Sequence, residues 1–418
     1  MSRLPGMAFR DHVIPVPLVH GVDGSPEIEV FAREVVAAGR EGDDLPWLCF
    51  LNGGPGSKAP RPPAPGWLAV ALRTHRVLLL DQRGTGRSTP LHARTAAGRT
   101  DAELATYIGH LRADSIVADA ELVRRRLAGD RPWTTLGQSY GGFVTMTYLS
   151  VAPEGLAGCL VAGGVPPLTA TAAEVYTRLY PRVAAKNAAL YRRYPEDVDR
   201  VRRIVGHLAA HDVRLPDGDR LDVARFRSLG KLLGSGDGLE QLHWLVEDAW
   251  HGDDLSDSFR YAVMAATGFV DDPLFALQEY IYGAPGRPTG WAAEEELARH
   301  PEFAADADPV LFTGEMMYRW MFAEIRALRP FAGAADLLAT TCGWPALYDL
   351  ERLARNEVPV AAAVYFDDMH MDAGLQLETV ARVGNMRAWV TNEYEHDGLA
   401  ASGGAVLEHL LDMIAGRR

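Results

Sequence analysis

Residues 133–150, Trp-Thr-Thr-Leu-Gly-Gln-Ser-Tyr-Gly-Gly-Phe-Val-Thr-Met-Thr-Tyr-Leu-Ser, decide how the rest of the chain is read. Trp133 to Leu136 have the apolar character of a buried strand end. Gly137-Gln138-Ser139-Tyr140-Gly141 follows as a G-x-S-x-G turn, and Phe143 to Leu149 give a helix with an apolar face. Strand, tight turn and helix in that order are the context of a nucleophile elbow. A serine on so sharp a turn is held in a strained backbone conformation, and flanking glycines let neighbouring backbone approach. Its hydroxyl then stands at a helix N-terminus, whose free N–H groups favour developing negative charge.

Outward from the elbow the chain alternates strands and helices. His12 to Leu18 and Ile28 to Val36 read as two strands joined by a turn at Gly21-Val22-Asp23-Gly24. Leu45–Leu51, Val77–Leu80 and Leu156–Ala162 are short, continuously apolar runs, as strands covered on both faces should be. Residues 101–128 have helical spacing. The pattern predicts an α/β fold with an open, mostly parallel sheet and helices on both faces. From Thr169 to about Phe331 it becomes helical, with examples at Ala173–Tyr191, Asp197–His211, Leu239–Trp250 and Glu315–Leu328. Gly234-Ser235-Gly236-Asp237-Gly238 follows no strand and lacks the lysine of a phosphate loop, so it reads as an inter-helix loop. Strand character returns at Val358–Phe366 and Met386–Val390, with helices at Gly374–Val383 and Gly404–Ile414. The expected organisation is a sheet domain in two pieces, residues 1–165 and 336–418, interrupted by a helical cap at 166–335.

Composition narrows the function classes. A net charge of −13, with no basic run longer than Arg124-Arg125-Arg126, argues against a nucleic-acid surface. Cys49, Cys159 and Cys342 are far apart and form no metal or disulfide framework. The N-terminus has no signal-peptide pattern and no apolar run reaches transmembrane length, so a cytoplasmic, membrane-free protein is expected.

A serine hydroxyl needs a base to take its proton. In this type of sheet the chain order is serine, acid, histidine. Val358–Phe366 ends in Asp367-Asp368, and His396 follows the next strand, 28 residues after Asp368. That gap holds one helix and one strand, which returns both side chains to the sheet edge that carries Ser139. His370 is the competing base, but it lies too near Asp368 for a separate strand to deliver it. Asp368 is preferred to Asp367 as the acid. Oxyanion donors are expected from the backbone N–H of Tyr140 and from Gly53 or Gly54, in the glycine loop after Leu45–Leu51. Both glycine loops and the elbow fall at strand C-termini, where open α/β sheets bind ligands.

Asn52-Gly53-Gly54-Pro55-Gly56 is similar to the His-Gly-Gly-Pro-Gly loop of the proline iminopeptidase family of α/β-hydrolases. Asp81-Gln82-Arg83-Gly84-Thr85-Gly86-Arg87-Ser88 resembles that family's Asp-Gln-Arg-Gly-x-Gly-x-Ser segment. The elbow 137–142 matches too, with tyrosine at 140 where many members have tryptophan. The chain departs at Asn52, where histidine is usual, and its cap resembles the family only weakly. The resemblance implies an α/β-hydrolase fold with an inserted helical cap. It also implies a serine exopeptidase that acts on peptides with a free N-terminal proline, needing neither metal nor organic cofactor.

Such a peptidase needs cap carboxylates for the substrate's ammonium group. Glu315, in Gly314-Glu315-Met316-Met317-Tyr318, resembles a family cap segment, and Glu279 is the second candidate. Trp320, Phe322, Trp344 and Tyr282 are candidates to line an apolar pocket for the pyrrolidine ring. An esterase or amidase on the same triad is the alternative, since only cap chemistry separates them. A non-catalytic protein that retains the fold is disfavoured by the intact serine, histidine and acid.

Overall fold

A computed structural model describes residues 2–418. Nine strands form one sheet: β1 (Ser2–Leu4), β2 (Met7–Pro17), β3 (Glu27–Ala37), β4 (Trp47–Leu51), β5 (Arg76–Leu80), β6 (Trp133–Gln138), β7 (Leu156–Ala162), β10 (Val360–Tyr365) and β11 (Met386–Thr391). The remaining two, β8 (Trp250–His251) and β9 (Asp254–Leu255), pair as a small separate ribbon. The sheet order is β1-β2-β3-β5-β4-β6-β7-β10-β11. β1, β2, β3 and β5 are antiparallel neighbours, and from β5 to β11 every pairing is parallel.

The apolar runs follow from burial on both faces. Along β4, Leu48 and Phe50 point into one core with Leu136, Leu160 and Leu407, while Cys49 and Leu51 point into the other with Val117, Phe143 and Val161. Parallel strands need crossovers, and helices such as Ala113–Ala128 and Tyr140–Val151 supply them. The expected strands agree with the sequence reading to within a few residues, except that β2 starts five residues earlier, at Met7. β1 and the β8–β9 ribbon have no counterpart in that reading, and the ribbon begins at Trp250, where a helix is expected.

Between β7 and β10 the chain is mainly helical, with Ala172–Arg193, Asp197–Ala210, Gly238–Glu247 and Asp257–Thr267 the longest elements. Two expected helices are changed. The helix expected over Glu315–Leu328 is confined to Arg319–Glu324, and 314–318 is irregular. Met316, Met317 and Tyr318 are all buried, which a path covered on several sides allows and one helix stripe does not. The 101–128 stretch divides into Asp101–Gly109 and Ala113–Ala128, because Arg112 is extended and donates to Gly283 O at 2.7 Å. Among the described residues no helix is long and apolar enough to cross a membrane.

The Asp81–Ser88 loop braces the sheet edge that carries the site. Arg83 is 1% exposed. It binds both oxygens of Asp119 (2.7 and 2.6 Å) and the carbonyls of Leu18, His110 and Pro17. Asp81, fully buried, accepts from the N–H groups of Ala59 and Arg87 and from Arg61. Gln82 donates to Asn52 O at 3.0 Å, which ties this loop to the glycine loop after β4.

Removing one partner of a buried ion pair strands the other charge, at a cost of about 3–5 kcal/mol. Asp119→Ala is therefore expected to lower the unfolding free energy by that order, seen as a lower urea midpoint with an unchanged m value. Asp11→Ala, which removes a half-exposed partner of Arg33, should cost about 1 kcal/mol or less. Similar losses in both variants would contradict the bracing role.

Candidate active site

Ser139 lies between β6 and the helix Tyr140–Val151 with φ 53° and ψ −122°, a conformation that side-chain-bearing residues rarely adopt. Packing compels it. A Cβ on Gly141 would stand 1.9 Å from Leu51 O, so the new helix passes β4 at a distance only glycine permits. Gly53 is under the same restriction on the other side, because a Cβ there would come within 2.8 Å of Ser139 Cβ. The glycine loop after β4 thus lies against the serine. Tyr140 is the first residue of its helix, where a backbone N–H has no intrahelical acceptor. Gly54, at φ 117°, turns the loop away immediately afterwards.

His396 Nε2 is 2.9 Å from Ser139 Oγ, and His396 Nδ1 is 2.7 Å from Asp368 Oδ2. The second Asp368 oxygen accepts the backbone N–H groups of His370 (2.7 Å) and Met371 (3.1 Å). Asp368 is fully buried, whereas Asp367 is exposed. Burial acts to raise the Asp368 carboxyl, but the adjacent His396, the nearby His370 and the His370 N–H hold it below its ordinary value. Burial likewise opposes charge on His396. The carboxylates of Asp368, Glu315 and Asp397 outweigh that and push it up to about 9.

The His396 loop is itself braced. His396 N–H donates to Gly234 O at 3.1 Å and Asp397 accepts from Gly236 N–H at 3.0 Å. The 234–238 segment is indeed an inter-helix loop, and it also supports the histidine from the cap side. Lys186 pairs with Glu395 next to it. Sequence reasoning missed these supports, since nothing local in Gly234-Ser235-Gly236 points to Asp397, 161 positions beyond Gly236.

The two cap glutamates have different surroundings. Glu279 Oε1 and Oε2 accept the N–H groups of Ala292 (2.9 Å) and Ala293 (3.2 Å), capping the helix Ala292–Leu297. The cavity beside it, lined by Thr289, Trp291, Met317 and Phe322, has about 20 Å³, room for a water and not for a pyrrolidine ring. Glu315 sits on the irregular 314–318 segment with 22% of its side chain accessible, and its Oε2 is 3.5 Å from His370 Nδ1. Burial raises both glutamates to about 7; the charges of His396 and Lys231 work against it at Glu315. Of the aromatic candidates, Tyr282 packs edge-on against Phe143 of the elbow helix and against Tyr176. Phe322 packs on Trp291, Trp344 on Tyr280 and Arg112, and Trp320 on Tyr318.

A strained serine, a histidine within hydrogen-bond reach and a buried aspartate behind it can carry out nucleophilic acyl transfer. With the sheet topology, this arrangement defines the class: a serine hydrolase built on the α/β-hydrolase fold. The family model for the alpha/beta hydrolase fold matches residues 46–268. A proline iminopeptidase of Aeromonas sobria is 45% identical over 411 residues, covering 98% of this chain and 97% of its own. A second, from Aspergillus aculeatus, is 34% identical over 94% of this chain and 91% of its own. The chain belongs to the proline iminopeptidase family of α/β-hydrolases. Among solved structures, a hydrolase from Pseudomonas aeruginosa aligns with TM-score 0.42 and 13% identity, over 97% of this chain and 98% of that one.

His396 must be neutral to accept the serine proton, so its raised pKa means that kcat/KM climbs as pH rises through that value. Glu315→Gln removes one of the charges that hold it up. The acid limb of the pH profile, measured with a neutral acyl ester, should then move to lower pH. An unmoved limb would show that Glu315 does not influence the base.

Proposed function

We propose that this protein is a serine exopeptidase that releases N-terminal proline from peptides. Ser139 attacks the scissile carbonyl, and His396 takes its proton and gives it to the leaving amine; water deprotonated by His396 then cleaves the acyl-enzyme, freeing proline and Ser139. Asp368 holds His396 in the tautomer with Nδ1–H and stabilises the imidazolium. The N–H groups of Tyr140 and of Gly53 or Gly54 bind the oxyanion. Glu315 receives the substrate's charged ring nitrogen. The observation that carries this reading is the carboxylate of Glu315 beside the His370–His396 pair, accessible and not committed to a helix N-terminus. Glu279 is the weaker candidate because its oxygens already serve one. The substrate's ammonium on Glu315 would also weaken the field that keeps His396 charged, so occupancy of the amine site favours the basic form of the catalytic histidine.

We place the division between core and cap at residues 165/166 and 335/336, with the cap carrying Glu315 and Glu279. Three free thiols fit a reducing cytoplasm, and the acidic balance disfavours nucleic acid as a partner. Apart from the peptide substrate the mechanism needs no cofactor.

Ser139→Ala should fold normally and lose several orders of magnitude in kcat, and a fluorophosphonate should label the wild type at Ser139 alone. Asp368→Asn should cost on the order of 10⁴ in kcat and Asp367→Asn far less. The reverse order would give Asp367 the role of the acid.

The amine site separates peptidase from generic esterase. Glu315→Gln is expected to lower kcat/KM for a proline amide by about 30- to several-thousand-fold while sparing a small neutral ester. N-acetylation of the amide should reproduce the loss in the wild type, and the two changes together should not add. If the wild type hydrolyses acetylated and free proline amide equally fast, the aminopeptidase assignment fails.

A further inference from the structure

His370 has no part in proton transfer to or from Ser139, yet it occupies the centre of the site. Its backbone N–H donates to Asp368 Oδ1 at 2.7 Å. Its ring packs edge-on against His396 with centroids 4.9 Å apart. A Cβ on Gly234 would stand 1.9 Å from His370 Nε2, so that edge of the ring is closed off by backbone. The other edge presents Nδ1, buried and without a hydrogen-bond partner, 3.5 Å from Glu315 Oε2. The side chain is only 8% exposed.

Chemistry selects what Nδ1 does there. Burial, with His396 nearby, brings His370 down to about 3, so the ring is neutral at working pH and one nitrogen carries the single proton. A carboxylate with an ammonium seated on it is ionised and accepts only. The nitrogen facing Glu315 must then be the donor, which fixes the Nδ1–H tautomer.

We propose that His370 is a positioning residue for the amine-binding carboxylate, its Nδ1–H closing onto Glu315 when the substrate's ammonium binds. This rests on the reading of Glu315 as the ammonium's partner. One Glu315 oxygen is held by the ring and the other faces the substrate nitrogen. The turn 368–371 then serves two carboxylates. Through its N–H groups it fixes the acid that orients His396, and through the His370 ring it fixes the acid that holds the substrate. The distance between scissile carbonyl and charged nitrogen, which distinguishes an N-terminal residue from an internal one, is set by that single turn.

The test compares the ratio of kcat/KM for a proline amide to that for a neutral acyl ester in three variants. His370→Leu fills the space without a donor. His370→Asn carries an amide N–H near the position of Nδ1, and His370→Gln carries one near Nε2. Losing a hydrogen bond to a charged group should lower the ratio about ten- to a hundredfold in the Leu and Gln variants, mainly through KM of the amide. The Asn variant should stay near wild type. In a Glu315→Gln background, His370→Leu should change the ratio no further. A ratio unchanged in Leu and Gln, or an Asn variant as poor as they are, overturns the inference. If Leu does not fold, the Asn–Gln contrast decides by itself. Equal rates on free and acetylated proline amide in the wild type would instead remove the reading of Glu315, a separate outcome from either.

Discussion

The approach of Gly141 to the carbonyl of Leu51 is the contact on which the site depends. With no room for a side chain between them, the helix after β6 lies directly over β4, and the chain must turn through Ser139 at φ 53° to enter it. Strain of this kind persists only where the surroundings over-determine it. Ser139 N–H is held by Ala162 O and Gly142 N–H by Ser139 O, so both sides of the elbow are tied. β4 pairs in parallel with β6 from Leu48 to Leu51, which brings the glycine loop at 52–56 level with the serine. Ser139 and the glycine loop are thereby placed by one ladder.

The charges at this edge are arranged unequally. Asp368 is satisfied three times over, by His396 and two backbone N–H groups, and is therefore an ionised, immobile partner. Burial raises Glu315 to about 7, but the neighbouring charges of His396 and Lys231 do not saturate it. Such a carboxylate gains most from a cation brought in from outside. His396 lies in the field of both acids, so a change of charge at Glu315 reaches it electrostatically without any movement of the backbone. Both side chains are largely buried, so solvent screens this coupling less than it would at the surface.

Support for these groups comes from both parts of the chain. Arg83 and Asp81 anchor loops at the sheet edge, and Gln82 carries the anchoring across to Asn52. Asn52 in turn donates to Lys58 O at 2.7 Å, so the residue that departs from the family's histidine closes its own loop. From the helical part, Gly234 and Gly236 hold the His396 loop, and Arg182 binds Asp372 and Phe366 O beside Asp368.

Much of the core was legible in the amino-acid sequence. The elbow, both glycine loops, the parallel strands, Ser139 and His396 are written in local patterns: apolar runs that end in glycine or acidic residues at regular spacing. Backbone geometry at a strand end is a local matter, and glycine, serine and aspartate mark it where they stand. Tertiary structure decided the rest. It made Asp368 rather than Asp367 the buried neighbour of His396, because the turn after β10 faces one inward and leaves the other in solvent. It gave Glu279 to a helix N-terminus and left Glu315 accessible beside the histidines, a difference no spacing could reveal. It also unwound the helix expected at 315–318, where consecutive buried side chains outweighed helical propensity. Local sequence fixes how the backbone turns, but which side chains meet depends on packing between segments a hundred or more residues apart.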